Sequence, residues 1–315
     1  MELFESTWAR KRFEKIFGSR SHAIRRLKKA RRRGFTVQSF RSPHADIEMR
    51  QVKIGVDTEN EVPALIAWRK GCALEQAPLV LALHQTTDNP EHGMQEPMGL
   101  KGNPDLFYGL ELAQKGALVL APAYPYFSEY APDLDLVYGH WGYDSMSQKA
   151  FVNHARCIDV LTEFARGQRR AVSCIGHSLG GTNAAFLAAF DGRCKAFVCS
   201  AGLSTFASYH QHMEVGLAGW ARPEKYMPLI AGKYKNLPEN LPADFDDVLV
   251  AARQARQFIS APLDDDTFPS YGAKKAFERA QTRVPGAENR FIQPKSGHNF
   301  PKTVRKKAYA FLLQR

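Results

Sequence analysis

The sequence predicts an α/β protein: a mostly parallel central sheet with helices on both faces and antiparallel strands at its N-terminal end. Three observations predict it. Apolar runs of strand length, such as Leu79-Val80-Leu81-Ala82-Leu83, have no polar alternation, so both of their faces are buried. These runs alternate with stretches of helical periodicity, which is how parallel strands with crossover helices read. One run, residues 171–175, breaks into Gly176-His177-Ser178-Leu179-Gly180 and continues as an alanine-rich helix.

Residues of about 36–69 alternate apolar and polar, as in Ile47, Met49, Val52, Ile54 and Val56, and read as antiparallel strands opening the sheet. The strand at 79–83 is followed by a polar loop, a helix near 105–115 and a buried strand at 117–120. Residues 124–143, rich in Pro, Tyr and Gly, read as loop. A helix over about 147–166 precedes the Gly-x-Ser-x-Gly strand; a helix at 179–190 and a strand at 196–199 follow it. Residues 203–252 are too long for a bare connection and read as a pocket-forming excursion. A strand at 257–262, a helix near 270–281, a strand at 289–292 and a helix at 304–313 complete the chain.

The 315 residues, 44% hydrophobic, suffice for one sizeable α/β domain. No apolar run approaches the ~18 residues a spanning helix needs, and the N-terminus lacks the apolar stretch of a secretory signal. The five cysteines are odd in number and lack Cys-x-x-Cys spacing, so they read as reduced thiols and not as metal ligands. Together these features lead to the expectation of a cytoplasmic protein without metal or organic cofactor. The net charge of +11 is concentrated: residues 1–35 hold twelve Lys and Arg against three Glu, a local charge of +9. The expected organisation is therefore a basic N-terminal arm over 1–35 and an α/β domain over 36–315. Residues 10–33 are a candidate surface for RNA or an anionic membrane. Phe13, Ile16, Phe17, Ile24 and Leu27 recur at near-helical spacing, which would equally let the arm dock on the body.

The Gly-x-Ser-x-Gly elbow carries the chemistry. Two glycines permit a tight strand-to-helix turn that leaves the Ser178 hydroxyl exposed, and the following helix aims backbone N–H groups beside it. A serine needs a general base with a pKa near working pH, which points to histidine. His298, in the loop between the last strand and the last helix, is the candidate base by chain order. His177 adjoins Ser178, but neighbouring side chains diverge at a tight turn. The orienting acid should follow the strand at 257–262, where Asp264, Asp265 and Asp266 stand together; pattern alone does not choose among them. The oxyanion donors expected are the Leu179 N–H and an N–H of Gln85 or Thr86 in the loop after Leu83. His84 in that loop, with Trp220 and Tyr226 in the excursion, are candidate pocket residues, and His84 is favoured as a loop-structuring one. Parallel α/β sheets place ligands beyond the carboxyl ends of their strands, and Ser178, the loop after Leu83, the three aspartates and His298 all fall there.

With these residues in place, the chain from about Pro78 to Phe311 resembles the α/β-hydrolase superfamily, in its dienelactone hydrolase, acetyl xylan esterase and prolyl-oligopeptidase-like group. The resemblance lies in Leu83-His84-Gln85-Thr86, Leu120-Ala121-Pro122-Ala123-Tyr124-Pro125, Gly176-His177-Ser178-Leu179-Gly180-Gly181, Gly219-Trp220 with Tyr226-Met227-Pro228, and Gly297-His298. Similar proteins carry the acid as fifth residue of Ala-Pro-Leu-x-Asp-x-Asn-Phe. This implies that role for Asp265, with Thr267 where Asn is usual. The resemblance implies a metal-free serine hydrolase. The expected activity is cleavage of carboxylic esters with short acyl groups through an acyl-enzyme. The alternatives are an acylaminoacyl-type or dipeptidyl-type peptidase, or a non-catalytic binding protein that uses its basic arm.

Overall fold

The structure is a computed structural model, describing residues 2–89, 91–127, 130–166, 170–286 and 288–314. Nine strands form one sheet: β1 (Phe35–Phe40), β2 (Ile47–Asp57), β3 (Asn60–Arg69), β4 (Leu79–Leu83), β5 (Leu118–Pro122), β6 (Val172–His177), β7 (Cys194–Ser200), β8 (Arg256–Ser260) and β9 (Arg290–Ile292). Their spatial order is β1-β2-β3-β5-β4-β6-β7-β8-β9. β1, β2, β3 and β5 pair antiparallel in succession, and every pair from β5–β4 to β8–β9 is parallel. The predicted architecture is thus present, with all five residues of both β4 and β5 buried as their unbroken apolar runs require.

Two separate hydrophobic clusters cover the two faces of the sheet. One takes α4 (Met146–Phe164), α5 (Leu179–Phe190), α8 (Phe245–Ala251) and α9 (Ser270–Arg283). The other takes α3 (Tyr108–Gln114) and α10 (Lys302–Leu313). Alternate residues of β4 divide accordingly: Leu79, Leu81 and Leu83 face the first cluster, Val80 and Ala82 the second. Helix α5 is buried all round, which explains a sequence with no polar stripe. The excursion at 203–252 folds into α6 (Phe206–His212), a 3₁₀ turn at Gly216–Trp220, the single-turn α7 (Leu229–Gly232), a 3₁₀ turn at Pro238–Asn240, and α8. The stretch 124–143, read as loop, contains a π-helical turn at Asp135–His140; Ser128 and Glu129 lie outside the described residues.

Residues 1–35 contain two helices, α1 (Glu2–Phe17) and α2 (Arg20–Ala30), which join the first cluster. Ala9, Phe13, Ile16 and Phe17 have essentially no solvent exposure. Phe17 stacks on Phe190 at 4.7 Å, and Phe13 meets Phe186 at 5.4 Å and Phe245 at 6.2 Å. α2 is fastened by charge as well as packing. Arg26 pairs with buried Asp57 of β2, which also bonds fully buried Lys149 of α4 at 2.9 Å. Lys149 Nζ completes its shell on Asn153 Oδ1 (2.6 Å) and Asn60 Oδ1 (3.1 Å), so the buried ammonium is fully hydrogen-bonded. All five cysteines are free, and among the described residues no helix is long and apolar enough to cross a membrane.

Candidate active site

Ser178 sits between β6 and α5 with φ +52° and ψ −124°, a left-handed conformation that costs a non-glycine residue energy and is held by its surroundings. Its N–H donates to Ser200 O on β7 at 2.8 Å. The neighbouring glycines are required by contact. A Cβ on Gly176 would stand 2.1 Å from the Gly180 backbone, and one on Gly180 would stand 1.9 Å from Leu83 O. The second approach presses the end of β4 against the start of α5. It thereby brings the 84–86 loop beside Leu179.

That loop is shaped by His84. Its Nε2 accepts the Tyr124 N–H at 2.8 Å, so the proton resides on Nδ1 and is donated to Gln85 O at 2.7 Å. Burial pushes the His84 pKa down to about 4, which keeps the ring neutral in this role. His84, named among candidate pocket residues, does not line the cavity: it is 3% exposed and lies behind the wall, as a loop-structuring residue would. The Gln85 side chain is drawn off to Glu96 (2.9 Å), and neither the Gln85 nor the Thr86 N–H has a partner among the described residues. Both residues line the same cavity as Leu179.

The loop after β8 separates the three aspartates. Asp264 and Asp266 are exposed, whereas the Asp265 carboxylate is fully buried. Its two oxygens lie 2.9 and 3.0 Å from His298 Nδ1, and Oδ1 also accepts the N–H groups of Thr267 (2.8 Å) and Phe268 (2.9 Å). The carboxylate accepts from Nδ1 and so fixes the imidazole with its proton on that nitrogen, leaving Nε2 free. The His298 side chain keeps 21% exposure and lines, with Ser178, a cavity of about 280 Å³. Ser178 borders this cavity, and its Oγ makes no hydrogen bond among the described residues.

Aromatic rings wall the rest of the cavity. Trp220 lies 5.4 Å from Tyr226, 5.9 Å from Tyr209 and 6.1 Å from Phe268. Tyr226 OH meets Thr86 Oγ1 at 3.1 Å, which ties the excursion to the 84–86 loop. Trp220 and Tyr226 are thus brought to the cavity together with Ser178, Leu179, Gln85, Thr86 and His298. Sequence reasoning missed Tyr209, which carries no motif, and Phe268, which closes the Ala-Pro-Leu-x-Asp-x-Asn-Phe pattern without a role assigned to it; both reach the cavity through tertiary packing. It also missed the position of His177. That ring is fully buried, and its centroid is 4.7 Å from that of His298. Among the described residues no group of His, Cys, Asp or Glu could hold a metal ion.

The overall fold recurs in solved structures. The chain superposes on acetyl xylan esterase 1 from Thermoanaerobacterium sp. JW/SL YS485 with a TM-score of 0.65 and 15% identity, covering 93% of this chain and 92% of that one. The chain has the α/β-hydrolase fold. A second α/β-hydrolase match, glucuronoyl esterase from Solibacter usitatus, has a TM-score of 0.64 and 13% identity over 89% of this chain and 85% of that chain. Acylaminoacyl peptidase from Pyrococcus horikoshii matches at 0.56 and 17% identity over 88% of this chain but only 40% of its own length. No family model and no curated protein matches the sequence.

Proposed function

We propose that this α/β-hydrolase is a serine esterase that cleaves carboxylic esters with short acyl groups. The observation that carries the reading is the buried Asp265 carboxylate bonded to His298 Nδ1 while His298 and the strained Ser178 border one cavity. In this reading Ser178 Oγ attacks the ester carbonyl carbon and His298 Nε2 takes the hydroxyl proton. The N–H groups of Leu179 and of Gln85 or Thr86 hold the oxyanion. His298 returns the proton to the departing alcohol. Water, deprotonated by the same nitrogen, then attacks the acyl-serine, and collapse of the second tetrahedral species releases the acid and restores Ser178. Asp265 keeps Nδ1 protonated throughout and stabilises the transient imidazolium.

Two features support esters over peptides and short acyl groups over long ones. A cavity of about 280 Å³ walled by Tyr209, Trp220, Tyr226 and Phe268 is small beside typical ligand pockets of ~300–1,000 Å³. Two matches that cover most of both chains bear the names of esterases. The test is turnover of p-nitrophenyl acetate against p-nitrophenyl octanoate and an aminoacyl anilide, with fluorophosphonate labelling of the native chain and Ser178→Ala. Acetate should be cleaved fastest, and labelling should vanish in the variant. Faster anilide cleavage would move the assignment to a peptidase, and labelling that survives Ser178→Ala would remove Ser178 as nucleophile.

A further inference from the structure

The first seventeen residues have two faces with different fates. Ala9, Phe13, Ile16 and Phe17 are buried in the core. On the opposite side, Leu3, Phe4, Thr7, Trp8, Lys11 and Lys15 recur at spacings of three and four residues and are all exposed. Leu3 and Phe4, at 62% and 72% exposure, are the two most exposed large apolar side chains of the described chain, and Trp8 follows within a turn at 44%. Three large apolar groups gathered at one end of a helix are not what a solvated surface requires.

The charge around them is one-sided. Lys11 and Lys15 continue the same face, and Arg25, Lys28 and Lys29 of α2, with Arg32 just after it, are exposed; none of these six cations has a carboxylate partner among the described residues. The nearby acids are turned elsewhere. Glu5 meets Arg283, and Glu14 accepts the Arg20 N–H. An occupant of the exposed side of α1 must therefore accept apolar side chains at the start of that helix and supply negative charge beside Lys11 and Lys15, and one that extends to α2 must supply negative charge there as well.

We propose that α1 and α2 form a docking surface for an anionic phospholipid bilayer, with Leu3, Phe4 and Trp8 entering the headgroup layer and the cations of both helices drawn to lipid phosphates and carboxylates. An acyl–headgroup boundary offers both kinds of contact at once. RNA matches the charge but leaves Leu3 and Phe4 facing sugar and phosphate. A second copy of the chain would bring the same uncompensated cations against one another across a two-fold axis. Because α1 also seals the core through Phe13 and Phe17, attachment needs no unfolding of the helix.

The experiment is co-sedimentation of the full chain with vesicles of phosphatidylcholine alone and of phosphatidylcholine with about 30% phosphatidylserine, a content that gives a strongly negative surface. The native chain should bind the anionic vesicles at least about tenfold more tightly, and binding should weaken as salt shortens the Debye length. Leu3→Ser/Phe4→Ser and Lys11→Glu/Lys15→Glu should each lower it about tenfold. Both variants alter exposed side chains only, so thermal unfolding and ester turnover should match the native chain. Absence of vesicle binding by the native chain overturns the proposal, as does binding that Leu3→Ser/Phe4→Ser leaves intact. Retention on an RNA oligonucleotide without vesicle binding assigns the face to RNA instead. A concentration-dependent dimer that Leu3→Ser/Phe4→Ser abolishes assigns it to a second copy; either result overturns the proposal.

Discussion

The His177 imidazole packs against that of His298, with ring centroids 4.7 Å apart. His177 is fully buried, bonds Ser200 Oγ at 3.1 Å through Nδ1, and leaves Nε2 without a partner. Burial, and then the proximity of His298, hold its pKa well below the ordinary histidine value, so it stays neutral. In the proposed mechanism His298 becomes cationic during turnover, and it would do so beside an uncharged ring. We expect His177→Ala to open a cavity there, costing about 2–3 kcal/mol of stability and lowering kcat about tenfold as His298 loses its brace. His177→Phe, which keeps a neutral ring, should retain kcat within about threefold. Steady-state kinetics and chemical unfolding of the two variants check this, and equal losses in both would show that ring packing is not the relevant property.

The three adjacent aspartates should respond unequally. Asp265→Asn keeps the size of the side chain but presents an amide to His298 Nδ1, so the wrong tautomer is favoured; turnover should fall roughly 10³- to 10⁴-fold. Asp264→Asn and Asp266→Asn, both on exposed side chains, should stay within about twofold of native. Comparable losses at all three positions in the ester assay would contradict the hydrogen bonding described.

Acid should destabilise the fold through His84. Its pKa is about 4 when folded and near 6.5 when unfolded, so the unfolded chain binds more protons between these values. The stability it contributes is complete above pH 6.5 and is lost as pH falls through about 4, on the order of 3 kcal/mol in all. Urea unfolding of native and His84→Gln proteins at pH 4.5 and pH 7 should show a shallower pH dependence in the variant. A slope unchanged by the substitution would exclude His84 as a source of the acid sensitivity.

The N-terminal helix should behave as core. Phe13→Ala removes a ring with no solvent exposure that touches Phe17, Phe186 and Phe245, and should cost about 3–5 kcal/mol. Deleting residues 1–17 should give an insoluble or unfolded product, because Phe186 and Phe190 would lose their cover. Native-like unfolding of the truncated chain would refute this.

Much of this was legible in the chain alone, for a local reason. The burial of β4 and β5 on both faces follows from their composition, and the turn at the elbow follows from Gly176 and Gly180, which meet each other across it. The place of Ser178 at the elbow, that of His298 after the last strand, and the order of elements could be read because each depends on a few consecutive residues. The fate of residues 1–35 could not be read so directly. Twelve cations dominate the segment, while the rings that bury it meet partners more than 150 residues away, as Phe17 meets Phe190.

By itself the sequence determined that apolar strands alternate with helices, that a serine is presented at a strand-to-helix turn, and that a histidine follows the last strand. These rest on steric and hydrophobic rules acting over a few residues. Only the tertiary structure decided which aspartate reaches His298, that His177 lies against it, that His84 stands behind the cavity, and that one side of α1 is buried while Leu3 and Phe4 face water. Those outcomes depend on how distant segments pack, since the direction of a side chain across a loop is set by the surface it meets and not by its neighbours along the chain.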